Sequence, residues 1–241
     1  MSAVLVGVLF PATFNLNADA ANATQLVKRL TLSGLDAEVV PVDADVLVAG
    51  TSLDALVIGS PSSSVLASPD SSSQELHDFV TTALIDDVPI LAVSNGFHLL
   101  GTMTAADGSD RGGLGIIPVS TTFGPQQHVT IGAEVNTEWG DLIGIENHNA
   151  TVSLDADSSV FGSMTFGVGN NTGGAEGFHR ATLWATHLHG PLFAMNPTFA
   201  DLFAMHAAAH RGLSYSRSTA LDDIDRLAEQ ARGHLVRKRA S

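Results

Sequence analysis

The chain has no cysteine among its 241 residues. It therefore contains no disulfide, no thiolate ligand for a metal ion and no cysteine nucleophile. Basic residues are also scarce, because 11 Lys and Arg stand against 25 Asp and Glu and give a formal net charge of −14. Arg111 is the only Lys or Arg between Arg29 and Arg180. Such a surface repels nucleic acid and anionic membranes, so neither is an expected partner.

Long apolar runs are missing as well. No run reaches the roughly 18 residues that a membrane-spanning helix needs, and no basic segment precedes the first apolar run at residues 4–10. Neither membrane insertion nor a secretory signal is predicted, and a cytoplasmic location is expected. With 44% hydrophobic and 15% charged residues the chain is of the globular class. Its length predicts a single domain over residues 1–241.

Strand and helix patterns alternate along the first part of the chain. The predicted strands are residues 3–10, 37–42, 55–58, 88–93, 142–145, 151–154, 164–168 and 181–186. The predicted helices run from a cap at Asn22 or Thr24 to Leu32, over 74–84, from the turn at Ser94 to near Met103, over 197–210 and over 218–236, while the Ser-rich residues 62–73 predict a loop. This rhythm predicts an α/β fold with a mostly parallel sheet. Residues 114–135 have strand signals without helices between them, which is typical of antiparallel strands added to one edge.

The turn at Ser94 has the pattern of a nucleophile elbow. Small residues stand two before it, at Ala92, and two after it, at Gly96, so the sequence is one residue away from G-x-S-x-G. Such a bend lifts the serine above the carboxyl end of the sheet, where backbone amides can stabilise an oxyanion. An ordinary strand-to-helix turn that carries a serine has the same local pattern.

A second stretch supplies a base for that serine. His189 follows the strand at residues 181–186 and precedes Gly190-Pro191, so it is expected over the same edge of the sheet as Ser94. His187 faces away from His189 if the strand stays regular.

Four blocks of the sequence carry a family resemblance. Residues 92–101 read A-V-S-N-G-F-H-L-L-G, where the family has A-V-C-G-G-Y-Q-L-L-G, and residues 187–197 read H-L-H-G-P-L-F-A-M-N-P against Y-L-H-G-P-L-L-P-K-N-P. Residues 143–148 are similar to a block that contains G-F-E-N-H, and residues 167–177 to G-x-G-N-N…E-G. In this order the blocks resemble the glutaminase family of CobB/CobQ-like type 1 glutamine amidotransferases, including the glutaminase subunits of lipid II isoglutaminyl synthase.

The resemblance implies a fold and a reaction. The fold is α/β: a flavodoxin-like, three-layer class I glutamine amidotransferase fold with a mostly parallel central sheet and an antiparallel extension. The reaction is hydrolysis of glutamine to glutamate and ammonia, with Ser94 in the nucleophile position, His189 shuttling protons and the Asn95 N–H holding the oxyanion. The implied substrate-binding positions are Gly59, Ser60, Asn95, Gly96, His98 and His128. Neither a cofactor nor a metal is implied.

The resemblance also implies a partner. Ammonia would pass to a Mur-ligase-like synthetase subunit in a heterodimer, and that subunit would use ATP to amidate the D-glutamate of lipid II for peptidoglycan synthesis. Two alternatives stay open from the residues alone. One is a non-catalytic pseudo-amidotransferase that acts as a binding or scaffold subunit. The other is a serine hydrolase that uses Ser94 and His189 on an unrelated ester or amide.

The departures from the family predict weak chemistry. Ser94 replaces the cysteine, and the Gly-rich oxyanion turn of the family is Gly59-Ser60-Pro61 here, where Pro61 has no N–H to donate. Pro191 stands where many relatives have a glutamate two residues after the histidine, so the sequence identifies no orienting carboxylate beyond a guess at Glu146. Gln127-His128 stands near the position of a substrate-binding arginine. We therefore expect little or no glutaminase activity from the chain alone.

Two further features have a functional and a structural interpretation. His206 and His210 have the i, i+4 spacing that can chelate zinc, but no Glu accompanies them as in H-E-x-x-H, so a metal is not expected. The basic C-terminus is either a solvated helix end or a docking tail for an acidic partner; its members are Arg232, Arg237, Lys238 and Arg239.

Overall fold

The computed structural model describes the backbone of residues 3–68 and 73–239, and the side chains of these residues up to 237. Its strands are β1 (Val4–Leu9), β2 (Ala37–Val42), β3 (Ala55–Ile58), β4 (Ile90–Val93), β5 (Thr102–Ala105), β6 (Val119–Thr137), β7 (Gly140–Leu154), β8 (Gly162–Phe166), β9 (Ala175–Glu176), β10 (Phe178–Arg180) and β11 (Leu183–Thr186). Its helices are α1 (Ala21–Leu32), α2 (Ala44–Ala49), α3 (Ser63–Leu66), α4 (Gln74–Ile85), α5 (Asn95–Leu100), α6 (Leu192–Met195), α7 (Pro197–His210) and α8 (Asp222–Arg239).

The central sheet has six strands in the order β10-β11-β4-β3-β1-β2. All neighbours pair in parallel except β10, which pairs with β11 in antiparallel fashion. Strand β4, which precedes Ser94, lies between β3 and β11 and pairs with both in parallel, so the carboxyl ends of the three strands meet at one edge. This arrangement confirms the predicted α/β fold with a mostly parallel sheet, and the antiparallel strand β10 extends that sheet at its edge.

Helices cover both faces of the central sheet. Alternate residues of β3 and β4 belong to two separate apolar clusters: Leu56 and Ile90 pack with α4, whereas Val57 and Leu91 pack with α1 and α7. Because both faces are covered, every residue of β3 and β4 is buried, which explains their continuous apolar runs.

A second, mixed sheet holds the other strands: β5 pairs with β6 in parallel, and the other pairs are antiparallel. Its order is β5-β6-β8-β9, and the long strand β7 pairs with β6. The strand signals that begin at residue 114 therefore form a second sheet and not, as predicted, an addition to one edge of the central sheet. An isolated bridge connects the second sheet to the site, because the Ile145 and His189 backbones exchange hydrogen bonds of 3.0 and 2.9 Å.

Local structure differs from the sequence predictions at several points, and the strands predicted at 142–145 and 151–154 form the single strand β7. The helix after Ser94 ends at Leu100, not near Met103, because the next residues pair with β6; at Gly101 a Cβ would lie 2.3 Å from the Val119 carbonyl oxygen. Helix α2 was not predicted. The Ser-rich segment predicted as a loop contains α3, whose N-terminus is capped by Ser62; residues 69–72 of that prediction lie outside the described residues.

The C-terminal helix α8 is confirmed, but its apolar stripe is only partly covered. Leu221 and Ala228 are buried, whereas 58% of Leu227 is exposed. Arg232 is not a free tail residue, since it donates to the Asp141 carbonyl at 2.8 Å. The side chains of Lys238 and Arg239 lie outside the described residues. Among the helices of residues 3–68 and 73–239, none is long and apolar enough to cross a membrane.

Candidate active site

Ser94 has the backbone of a nucleophile elbow. It is not a glycine, yet its φ is 52° and its ψ is −116°, a conformation that costs on the order of 1–3 kcal/mol unless its surroundings enforce it. Two hydrogen bonds do so: the Ser94 N–H donates to the Thr186 carbonyl at 2.8 Å, and the His98 N–H donates to the Ser94 carbonyl at 2.9 Å. This backbone conformation and its two hydrogen bonds form the predicted elbow. Strained residues of this kind cluster at functional sites.

Glycines bring the elbow close to the loop after β3. A Cβ on Gly96 would lie 2.4 Å from the Gly59 carbonyl oxygen, and a Cβ on Gly59 would lie 2.1 Å from the Phe14 carbonyl oxygen. Both positions were predicted to bind substrate. In the structure, the lack of a side chain at Gly59 and Gly96 lets three backbone segments approach one another closely. Ser60 therefore lies beside Asn95.

His189 is paired with a carboxylate that the sequence analysis did not identify. Its Nδ1 lies 2.9 and 3.0 Å from the two oxygens of Asp19, and both side chains are buried. Since a carboxylate only accepts, Nδ1 carries the proton and Nε2 has the lone pair. Nε2 is buried and has no hydrogen-bond partner. A histidine held in this tautomer with a free Nε2 is arranged as a general base.

Asp19 reaches the site from the loop between β1 and α1. Its carboxylate also accepts the Ser60 N–H at 3.1 Å. Burial raises the pKa of Asp19, while the hydrogen bonds from His189 and Ser60 oppose that rise. The residue is 170 positions away from His189, so spacing gives no hint of the contact. The one available signal is that Asp19 is the only acidic residue between β1 and α1.

Glu146, the guess for the third member, has other partners, so that guess was wrong. It accepts the Val168 N–H at 2.9 Å and lies 3.6 Å from His148 Nε2. Although burial opposes it, the contacts with His148, Gly169 and Val168 hold the pKa of Glu146 at about 2. Glu146 therefore fixes the loop after β8.

The predicted oxyanion donors already have acceptors in this conformation. The Asn95 N–H donates to Ser60 Oγ at 3.3 Å, and the Ser60 N–H donates to Asp19. The Asn95 side chain donates to the Pro61 carbonyl at 2.9 Å. Ser94 itself is only 1% exposed. The site is therefore closed, and the Ser60 hydroxyl occupies the position where the Asn95 amide would meet an oxyanion.

The two remaining predicted positions, His98 and His128, have histidine neighbours. His98 is fully buried, with Nε2 3.1 Å from His187 Nε2 and Nδ1 3.2 Å from Asn95 Oδ1. Burial, and then the nearby His187 and His148, hold the pKa of His98 well below its usual value. His128 is half-buried, and its ring centre is 5.7 Å from that of His148.

The two histidines with zinc-ligand spacing have separate partners. The His206 ring packs at 5.1 Å against Trp184, whereas His210 Nδ1 lies 3.0 Å from Asp54. Within residues 3–68 and 73–239, no group of three His, Cys, Asp or Glu side chains is placed to hold a metal ion.

The elbow at Ser94 and the His189–Asp19 pair follow the neighbouring parallel strands β4 and β11, and the α/β fold that places them there is that of class I glutamine amidotransferases. Residues 20–197, more than half of the chain, match the CobB/CobQ-like glutamine amidotransferase domain. The chain belongs to this family.

Individual relatives agree with that assignment. The GatD subunit of lipid II isoglutaminyl synthase (glutamine-hydrolyzing) from Staphylococcus aureus strain N315 is 27% identical over 225 residues, which cover 92% of this chain and 90% of that protein. The GatD subunit from Streptococcus pneumoniae is 27% identical over 152 residues, 52% of this chain and 55% of that protein.

Solved structures agree on the fold. A glutamine amidotransferase crystal structure has a TM-score of 0.56 at 15% identity and covers 84% of this chain and 98% of its own. The glutaminase domain of Trypanosoma brucei CTPS with bound acivicin has a TM-score of 0.55 at 10% identity, and the match covers 90% of this chain and 99% of that domain.

Proposed function

We propose that this chain is a glutamine-hydrolysing subunit that supplies ammonia for the amidation of lipid II. The observation that carries the proposal is the His189 imidazole, held at Nδ1 by Asp19 and free at a buried Nε2, at the sheet edge that bears Ser94. Similarity to two subunits of lipid II isoglutaminyl synthase supports the substrate and the pathway.

In the proposed reaction Ser94 replaces the usual cysteine. Its Oγ attacks the side-chain carboxamide carbon of glutamine while its proton passes to His189 Nε2. Asp19 stabilises the imidazolium that forms. The C–N bond then breaks, and Nε2 returns the proton to the leaving nitrogen, which departs as ammonia. His189 Nε2 then takes a proton from a water molecule, which attacks the Ser94 ester. The ester bond breaks, the proton passes from Nε2 to Ser94 Oγ, and glutamate is released.

The proposed activity of the isolated chain is low. A serine hydroxyl is a weaker nucleophile than a cysteine thiol at neutral pH. The Asn95 amide is bonded to Ser60 Oγ, and one missing oxyanion donor typically costs about 10²–10³ in rate. We propose that a Mur-ligase-like synthetase subunit binds as a heterodimeric partner, opens this edge of the sheet and receives the ammonia.

Glutamate release tests the proposal. Parent protein is incubated with saturating glutamine, alone and with the Mur-ligase-like synthetase, ATP and lipid II. We expect slow release alone and faster release in the complex, both abolished in Ser94→Ala and raised in Ser94→Cys. Ser64→Ala, in the exposed helix α3, serves as a matched serine control and should match the parent. Release by the complex that persists in Ser94→Ala contradicts the proposed nucleophile.

A serine hydrolase is the second candidate, because Ser94, His189 and Asp19 are the complete set of residue types for that chemistry. Turnover of a p-nitrophenyl ester, lost in Ser94→Ala and not accompanied by glutamate release in any mixture, would favour it. A complex that amidates lipid II with free ammonia but shows no glutamine or ester turnover would indicate a non-catalytic subunit.

A further inference from the structure

We propose that His98, His187 and Glu176 form a buried proton relay, which carries an imidazolium–carboxylate pair beneath the Ser94 elbow and positions the Asn95 side chain. The hydrogen bonds of the relay involve other residues than those of the Asp19–His189 pair, although His189 is one of the charges near His98, and the existence of the relay does not depend on which substrate Ser94 takes. His98 and His187 act through Asn95 and are therefore positioning residues.

The relay is a continuous line of short contacts. Glu176 Oε2 lies 2.8 Å from His187 Nδ1, His187 Nε2 lies 3.1 Å from His98 Nε2, and His98 Nδ1 lies 3.2 Å from Asn95 Oδ1. Glu176, His187 and His98 are each 0% exposed. The line ends where the Asn95 side-chain amide donates to the Pro61 carbonyl at 2.9 Å.

Counting protons shows why the pair is charged. Glu176 and Asn95 Oδ1 both accept, so His187 Nδ1 and His98 Nδ1 must each carry a proton. The Nε2–Nε2 contact needs one proton between its two nitrogens. Three protons on two imidazoles make one imidazolium. The orientation of Asn95 is fixed, because exchanging its amide nitrogen and oxygen would set two carbonyl oxygens against each other at Pro61.

The carboxylate of Glu176 balances this charge. Its Oε1 accepts the Thr186 hydroxyl at 2.6 Å and the His187 N–H at 2.7 Å. Despite burial, these contacts and the neighbouring His187 lower the pKa of Glu176, so the ionised form is favoured. Glu176 Oε2 lies 2.8 Å from the His187 ring, so the carboxylate is placed beside the two imidazoles that share the additional proton.

Other groups face the pair without replacing Glu176. The His148 ring lies 4.2 Å from the His187 ring and is paired with Glu146. The rings of Phe97 and Phe123 close the remaining sides of His98 at 5.5 and 5.4 Å. Burial, followed by His187, lowers the pKa of His148, which keeps a second positive charge away from the pair.

Three residues that differ from the family blocks, Asn95, His98 and His187, lie in the relay. The family blocks have Gly, Gln and Tyr at the positions of Asn95, His98 and His187. Each of these three residues contacts the next one.

Nitrogen-15 NMR of the histidine side chains tests the relay. Two-bond correlations at pH 7.5 should show a proton on Nδ1 of both His98 and His187 and a third proton on the Nε2 of one of these rings. Glu176→Gln should remove the third proton and shift the side-chain amide signal of Asn95. Glu146→Gln, which removes the other fully buried glutamate of this cluster, should change neither signal.

Three results would overturn the relay. The first is a parent spectrum in which His98 and His187 are both neutral, as a protonated Glu176 would require. The second is an imidazolium that survives in Glu176→Gln. The third is an Asn95 signal that responds equally to both variants. If Glu176→Gln does not fold, the parent spectrum decides alone, and neither result depends on glutamine turnover.

Discussion

Replacing Asp19 by Asn changes the charge of one buried side chain and almost none of its volume. The carboxylate contacts His189 Nδ1 with both oxygens, at 2.9 and 3.0 Å. An Asn amide in that place donates to Nδ1 and so favours the tautomer with the proton on Nε2. That tautomer cannot accept the Ser94 proton. The equivalent change in a serine protease triad lowers kcat by about 10⁴, or roughly 5.5 kcal/mol of barrier, and we expect an effect of that order here.

The assay is covalent labelling of Ser94 by a fluorophosphonate in the complex with the synthetase partner, followed by intact-protein mass spectrometry, because it needs no glutamine. The control is Glu146→Gln, which changes the carboxylate that sequence alone suggested and should alter the labelling rate less than threefold. Melting followed by circular dichroism confirms that both variants fold. A labelling rate for Asp19→Asn within about tenfold of the parent, or an equal loss in Glu146→Gln, would refute the role of Asp19.

Three other predictions concern the oxyanion donors, the packing of the elbow and the pH dependence of stability. Ser60→Ala frees the Asn95 amide, so glutamate release by the complex should rise by up to about 10²; an unchanged or lower kcat contradicts that competition. Gly96→Ala places a Cβ 2.4 Å from the Gly59 carbonyl oxygen and should lower the free energy of unfolding in urea by about 1–3 kcal/mol, whereas Gly233→Ala in α8 should not destabilise the protein. The pKa of Glu146 is about 2, below the 4.5 of an unfolded chain, so its contribution is present above pH 4.5 and lost as the pH falls towards 2. Urea titrations should show a flatter acid limb in Glu146→Gln, and an identical limb would contradict the assignment. His98 and His148, whose pKa values are lowered, add a loss of stability that begins as the pH falls below 6.5, since the unfolded chain then binds more protons.

The sequence predicted correctly those elements that are determined by residues close to one another in the chain. The short apolar runs at β3 and β4 are strands because both faces of the sheet are covered, and α7 begins at Pro197 because proline suits the first turn of a helix. The elbow at Ser94 followed from the small residues at Ala92 and Gly96. These features depend on neighbours within a few residues.

Long-range contacts were not predictable in the same way. Asp19 meets His189 across 170 residues, and only the order of strands in the sheet brings them together. The Ser60 hydroxyl bonds to Asn95 for the same reason. Short helices such as α2 carry too little periodicity to be recognised, and the end of α5 at Leu100 is set by the pairing of β5 with β6.

Covalent capture by a glutamine analogue tests the central claim that Ser94 is a nucleophile activated by His189. The complex with the synthetase partner is treated with acivicin and digested, and the modified peptide is identified by mass spectrometry. We predict one adduct per chain, on Ser94, that is absent in Ser94→Ala, at least 10²-fold slower in His189→Ala, and unaffected in the half-buried control His77→Ala. An adduct on another residue, or an adduct that forms at the parent rate without His189, would contradict the account.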